Sequence, residues 1–227
     1  MATERMYLAT HAQDGIAAVL SVVDIEPGLS IVRLNRTLFH PESSEQLSDR
    51  GKVGSHAVLD VKWDAQDIDH YLSSSRDLVH GKTVGITVDK YWRTLQSTYH
   101  SSGHLLQSIV PRVRKDCVAV FGRHWPESAR LVFYAAGPLS RDDVAEINQA
   151  FLKETSRDYP VEIVFSNGVR QVQLADYDPI VCHGTHVQRT SDIASMEISY
   201  MNFDGECLIM DYVVKPRLVQ AAKIRGS

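Results

Sequence analysis

The sequence predicts an α+β fold on three observations. Short apolar runs broken by turn residues extend to about His80, an amphipathic helical pattern starts at Asp89, and strand-like runs close the chain as a hairpin. With 227 residues and 44% apolar composition, the chain has enough material for one generous core or two small ones. The polar stretch Ser73-Ser74-Ser75-Arg76 reads as a junction, which gives expected domains of residues 1–78 and 79–227.

The early runs are Ile16 to Val23, Leu29 to Leu34 and His56 to Trp63, with Pro27-Gly28 and Asp49-Arg50-Gly51 as turns between them, so this part reads as small and mostly β. Asp89 is expected to cap a helix carrying Trp92, Leu95, Tyr99, Leu106 and Ile109 at near-helical spacing. Pro111 is expected to end it, because the residue before a proline is pushed out of the helical region. A second helix starts at Ser140 with Val144, Ile147 and Phe151 on one face, followed by strands at Val161 to Phe165 and Val169 to Leu174. Ile193 to Tyr200 and Cys207 to Val214 make a closing hairpin around Asp204-Gly205. The second part is therefore helices laid on a mainly antiparallel sheet.

A formal charge of −4 excludes a uniformly cationic surface for coating nucleic acid, while leaving room for a local basic face. Arg112, Arg114 and Lys115, or Lys215, Arg217, Lys223 and Arg225, are candidates for one; solvated surface charge is the alternative reading of each cluster. No apolar run reaches the length of a membrane span, and the opening residues carry no hydrophobic leader, so a cytoplasmic location without a membrane partner is expected. The three cysteines are odd in number and scattered, which points to reduced thiols. Cys117 and Cys207 have no histidine at ligand spacing and are expected as buried small hydrophobes.

His100 and His104 are four residues apart on the first helix, so their imidazoles leave one face about a turn apart. In a chain with 10 histidines that spacing alone is weak. Cys182 and His186 repeat it, within Val-Cys-His-Gly-Thr-His-Val, and two such pairs together point to a metal site. Three nitrogens and a sulfur suit tetrahedral zinc and suit magnesium or calcium poorly. His183 competes with Cys182 for the fourth position, but its spacing does not mirror the first pair.

The segments carrying these residues resemble a known family. Tyr-His-Ser-Ser-Gly-His-Leu-Leu at 99–106 is similar to the His-x-x-x-His-Leu segment of the alanyl-tRNA editing family, found in alanyl-tRNA synthetase editing domains and their free-standing relatives. Cys-His-Gly-Thr-His-Val at 182–187, continuing into Arg189-Thr190-Ser191-Asp192-Ile193, resembles the family's Cys-Gly-Gly-Thr-His segment. Residues 34–42 and 46–51 resemble its Thr-x-Phe-Tyr run, Gly-Gly-Gln loop and Asp-x-Gly turn.

The resemblance implies a β-barrel N-terminal domain, an α+β editing domain with zinc on His100, His104, Cys182 and His186, and a cleft between the two domains. It further implies hydrolysis of the ester joining serine or glycine to tRNA for alanine, with an aminoacyl-tRNA as partner. Thr37 falls where the family has a substrate-sensing hydroxyl and Gln46 where it has its loop glutamine. Three departures stand out: Ser43-Ser44-Glu45 in place of the glycine loop, His183 in place of the first glycine after the cysteine, and a hairpin reading Asp204-Gly205-Glu206 where relatives carry lysine and arginine. They leave two alternatives beside trans-editing: a hydrolase or acyl transferase of the same fold acting on another aminoacyl conjugate, and a non-catalytic tRNA-binding protein with structural zinc.

Overall fold

The structure, a computed structural model, describes residues 2–217, so Lys223 and Arg225 of the basic tail lie outside the described residues. The first part of the chain is built of strands: β1 (Glu4–Arg5), β2 (Asp14–Glu26), β3 (Leu29–Leu34), β4 (Arg36–Thr37), β5 (Gly51–Val53), β6 (His56–Asp64), β7 (Asp67–Leu72) and β8 (Thr83–Val88). Six of them follow one another in the order β2-β3-β7-β6-β5-β8, and β8 pairs back onto β2, so the order closes on itself. Period-two alternation turns one side chain in two inward. In β8, for example, Val84, Ile86 and Val88 are buried while Thr83, Gly85 and Thr87 are exposed. Val32 and Leu34 of β3 with Ile68 and Leu72 of β7 complete the same core. β8 lies beyond residue 78 in the chain yet pairs with both β2 and β5.

Only Asp89 separates β8 from α1 (Lys90–Val113), and its carboxylate accepts the N–H of Trp92 at 2.9 Å, the N-cap read from the sequence. Pro111 does not end this helix, contrary to expectation. α1 continues to Val113 and closes with the Arg114 N–H on the carbonyl of Val110. In the last turn a proline forfeits a single i to i−4 bond. Ile109 and Val110 just before it are fully packed and hold the turn in place.

The remaining elements are β9 (Val118–Arg123), β10 (Arg130–Tyr134), α2 (Arg141–Ser156), β11 (Val161–Ser166), β12 (Val169–Leu174), β13 (Ile180–Val181), β14 (Ile193–Phe203) and β15 (Cys207–Pro216). Strands order as β14-β15-β10-β9 in one sheet and β11-β12-β13 in another, with antiparallel pairing throughout both. The mostly-sheet α+β class and the closing hairpin are as expected. β9 and β10 have no counterpart in the sequence reading; β9 is exposed or half-exposed along its length and shows no clean alternation, whereas β10 does alternate, with Leu131 and Phe133 buried. Ser140 and Asp143 form a capping box that starts α2, with the Asp143 N–H donating to the serine hydroxyl at 3.1 Å and the Ser140 N–H donating to the aspartate at 2.7 Å.

A second core lies where Leu106 and Ile109 of α1 and Ile147 and Phe151 of α2 meet Leu131 and Met210 of the four-stranded sheet. Cys117 is buried in it, whereas Cys207 is only partly buried, because it opens β15 next to the exposed hairpin turn; both are free thiols. Among the described residues no helix is long and apolar enough to cross a membrane.

The start of α1 is stitched to the segment before β5. Arg93 and Asp49 form a buried ion pair, Arg93 also donates to the Leu38 carbonyl at 2.6 Å, and the Trp92 indole donates to the Ser48 carbonyl at 2.8 Å. These bonds hold residues 38–49 against the helix that carries the two histidines.

Candidate metal centre

His100 and His104 project from successive turns of α1 with their rings stacked at 4.9 Å between centroids. Cys182 and His186 come from the irregular segment after β13, and the donor atoms of all four residues lie within 4.8 Å of one another. The Cys182 Sγ sits 3.3 Å from His100 Nε2 and 3.2 Å from His186 Nε2. All four side chains are buried. Among the described residues neither ring nitrogen of His104 has a hydrogen-bond partner, although the residue is only 3% exposed. Leaving such groups unpaired costs roughly 1–3 kcal/mol each. An ion among the four donors would engage one of the two His104 nitrogens, so the residues fit a metal.

Electrostatics agree with the geometry. Burial, and then the neighbouring imidazoles, hold His100 and His186 well below the ordinary histidine range, and burial takes His104 down to about 4. All three are therefore neutral at physiological pH, the form that donates a lone pair to a metal. Burial pushes the Cys182 thiol up to about 11, so a nearby cation is what would convert it to the ligating thiolate.

A shell of polar groups fixes which nitrogens face the centre. Gln46 Oε1 accepts the His100 Nδ1–H at 2.7 Å and the Thr185 N–H at 2.9 Å, while its Nε2 donates to the Thr185 hydroxyl at 2.9 Å. Ser97 touches that hydroxyl at 2.8 Å. Ser101, one residue after His100, lies 3.1 Å from His186 Nδ1 and accepts the Val187 N–H at 3.1 Å. With Nδ1 engaged in both histidines, Nε2 is left for the metal. Two glycines permit this crowding. A Cβ on Gly184 would come 2.0 Å from the His100 ring, and one on Gly103 would come 2.1 Å from His124.

His124 escaped the sequence reading. It follows β9 directly, is 1% exposed, packs its ring against His100 at 4.8 Å between centroids with the planes tilted by 35°, and holds the Tyr212 hydroxyl 2.7 Å from its Nδ1. Burial keeps it well below the ordinary histidine range. No spacing marks it. The one signal was Gly103, a glycine inside an otherwise side-chain-rich helix between the two candidate donor histidines. His183, weighed as an alternative ligand, is exposed and stands outside the donor group.

Two cavities meet the cluster. One of about 570 Å³ reaches His186 and is lined by Lys90, Arg170, Arg217 and Tyr7 among others. Another of about 250 Å³ reaches Cys182 and is lined by His40, Ser43 and Glu45. The 43–46 loop, glycine-poor compared with the family pattern, keeps negative φ throughout, and the Ser43 hydroxyl accepts the N–H groups of Glu45 and Gln46 at 3.3 and 3.0 Å. Burial raises the Glu45 carboxyl above its usual range.

Thr37 is fully buried in the strand part of the fold. The His70 Nδ1–H donates to the Val32 carbonyl at 3.0 Å, so its Nε2 is the acceptor, and the Thr37 O–H donates to it at 2.8 Å. The same hydroxyl accepts the Phe39 N–H at 3.1 Å. Of the candidate basic residues, Arg114 is taken up by Asp116 and Asp143, and Arg112 stacks on Tyr177 at 3.9 Å. At the hairpin, Asp204 accepts the N–H groups of Glu206 and Cys207 and so caps the turn.

No family model matches the chain. Curated relatives do. It is 27% identical over 218 residues to the alanine–tRNA ligase of Ignicoccus hospitalis, covering 84% of this chain and 24% of the ligase. It is 26% identical over 225 residues to that of Nitrosopumilus maritimus, covering 87% and 24%, and 30% identical over 200 residues to that of Caulobacter vibrioides, covering 74% and 23%. The motifs and these matches agree: the chain is a homologue of the alanine–tRNA ligases, in a segment spanning about a quarter of their length.

Proposed function

We propose that this chain is a zinc-dependent aminoacyl-ester hydrolase that removes serine or glycine from mischarged tRNA for alanine. The observation that carries the reading is the buried group of His100, His104, Cys182 and His186, with His104 lacking a hydrogen-bond partner among the described residues. Three imidazoles and a thiolate favour zinc over oxygen-seeking cations. When bound there, zinc would supply Lewis-acid polarisation or an anchor for the aminoacylated ribose.

The chain's own residues then divide the work. Lys90, Arg170 and Arg217 line a cavity of about 570 Å³, a volume suited to a terminal nucleotide and its phosphate. Gln46 acts on His100, since both ends of its carboxamide are already engaged. The Thr37 hydroxyl donates to His70, accepts the Phe39 N–H and retains one lone pair for a substrate hydroxyl. It is fully buried and lines neither of the two cavities, so its serine-sensing role rests on the family resemblance. The two-unit organisation belongs to the same proposal. Its junction is best put at Asp89, which keeps β8 with the strands it pairs.

A second reading, a hydrolase or transferase for another aminoacyl conjugate, gains from the neutralised Arg114 and from Glu45 beside the cluster. Deacylation of a panel of charged tRNAs and of simple aminoacyl esters separates the two. Turnover of seryl- or glycyl-tRNA for alanine supports the first, and turnover of the simple conjugates alone supports the second. Binding of tRNA without any turnover would leave the non-catalytic alternative.

A further inference from the structure

The helix that carries the first two donors brings no acid or base of its own to the cluster. The position after His100 is Ser101, already committed to His186 and Val187. Gln46 is spent on His100 and Thr185. Of the imidazole and carboxylate groups that line the cavity at Cys182, which are His40, His183 and Glu45, the one in direct approach to the cluster is Glu45. Its Oε2 lies 3.8 Å from His100 Nε2, the nitrogen turned to the metal centre, and its side chain makes no hydrogen bond among the described residues. It stands outside the compact set of four donors, so it does not complete that set itself. Glu45 also lines the cavity of about 250 Å³ that opens at Cys182.

The backbone beneath it is fixed on both sides. The Glu45 N–H donates to the Ser43 hydroxyl at 3.3 Å, and its carbonyl accepts the His124 N–H at 2.9 Å. A glycine loop would leave this position without a side chain. Here a half-exposed carboxylate is held at the mouth of the site.

We propose that Glu45 is a catalytic residue, the general base for the water that cleaves the ester, an inference that rests on the hydrolase reading above. As the water oxygen bonds to the ester carbonyl carbon, one water proton passes to the Glu45 carboxylate. Collapse then breaks the bond between that carbon and the ribose oxygen. The ribose oxygen takes the proton from Glu45, leaving a free hydroxyl and the amino acid. The departure from the glycine loop is thereby a gain of an acid–base group as well as a negative charge near the substrate.

The test measures single-turnover hydrolysis of seryl- and glycyl-tRNA for alanine by the zinc-loaded protein and its Glu45→Gln and Glu45→Ala variants. Metal content and affinity for a non-hydrolysable seryl-amide analogue of the tRNA end are measured alongside. Loss of a general base lowers the rate about 10²–10⁴-fold. Zinc and analogue affinity stay unchanged, and added formate restores part of the rate to Glu45→Ala by filling the space left by the carboxylate. Wild-type rates in both variants, or slow variants that have also lost zinc or analogue binding, overturn the role. If the wild-type protein itself cleaves no aminoacyl ester, the hydrolase reading falls as well, a result distinguishable from the first.

Discussion

Gln46 Oε1 accepts the Nδ1–H of His100 at 2.7 Å, a bond between residues 54 positions apart that ties the loop before β5 to α1. The same oxygen accepts the Thr185 N–H, so one carboxamide orients a donor histidine and anchors the segment that brings Cys182 and His186. Gln46→Ala should therefore keep the fold and lower metal affinity about 10–100-fold, as losses of hydrogen bonds to metal-bound histidines do. Competition against a chromophoric chelator reads this directly; an unchanged affinity would show that the bond is incidental.

The four donors were legible because their chemistry is encoded locally: His100 and His104 by helical spacing, Cys182 and His186 by a repeat of that spacing around a glycine. α1, α2 and the β14–β15 hairpin were legible for a related reason, since caps and apolar period are local properties. What one sequence hid is what tertiary contact creates. His124 reaches His100 only because β9 folds beside α1 and Gly103 leaves it room. Pro111 was read as a stop because the propensity rule is local, while packing around Ile109 and Val110 decided the outcome. Glu45 was visible as a charge, but its approach to His100 depends on α1 and the loop being stitched together.

Gly184 is open to a steric test. A methyl group there would meet the His100 ring at 2.0 Å and Gln46 Oε1 at 2.8 Å, so Gly184→Ala must displace one of them. Overpacking of this kind costs about 1–3 kcal/mol and should weaken metal binding at the same time. Gly85→Ala, where a new Cβ meets nothing within 4 Å, is the control. Chemical denaturation of the two variants gives the comparison, and equal midpoints would contradict the crowding described here.

Thr37→Val keeps the shape and removes the hydroxyl that satisfies His70 Nε2. The buried nitrogen left without a donor should cost about 1–3 kcal/mol of stability. If Thr37 also senses serine, cleavage of a seryl ester should fall relative to a glycyl ester at constant zinc content. Selectivity identical to wild type would confine Thr37 to the structural role.

His70 also sets a pH dependence. Burial lowers it to about 4 from the ordinary 6.5, so between those values the unfolded chain binds a proton that the folded chain refuses. Stability from this group is intact above pH ~6.5 and declines as pH falls toward ~4, by about 3 kcal/mol in all. Urea unfolding at several pH values should show a shallower acid slope for His70→Gln than for wild type. Parallel slopes would mean that His70 is not a buried neutral imidazole.

The most direct measurement is the metal content of the purified protein and of its His100→Ala and Cys182→Ala variants by elemental analysis. Four donors converging within 4.8 Å predict one zinc per chain in the wild-type protein and its substantial loss from both variants, because either change leaves the shell incomplete. Stoichiometric zinc in both variants, or none in the wild type under metal-replete conditions, would contradict the assignment of the centre.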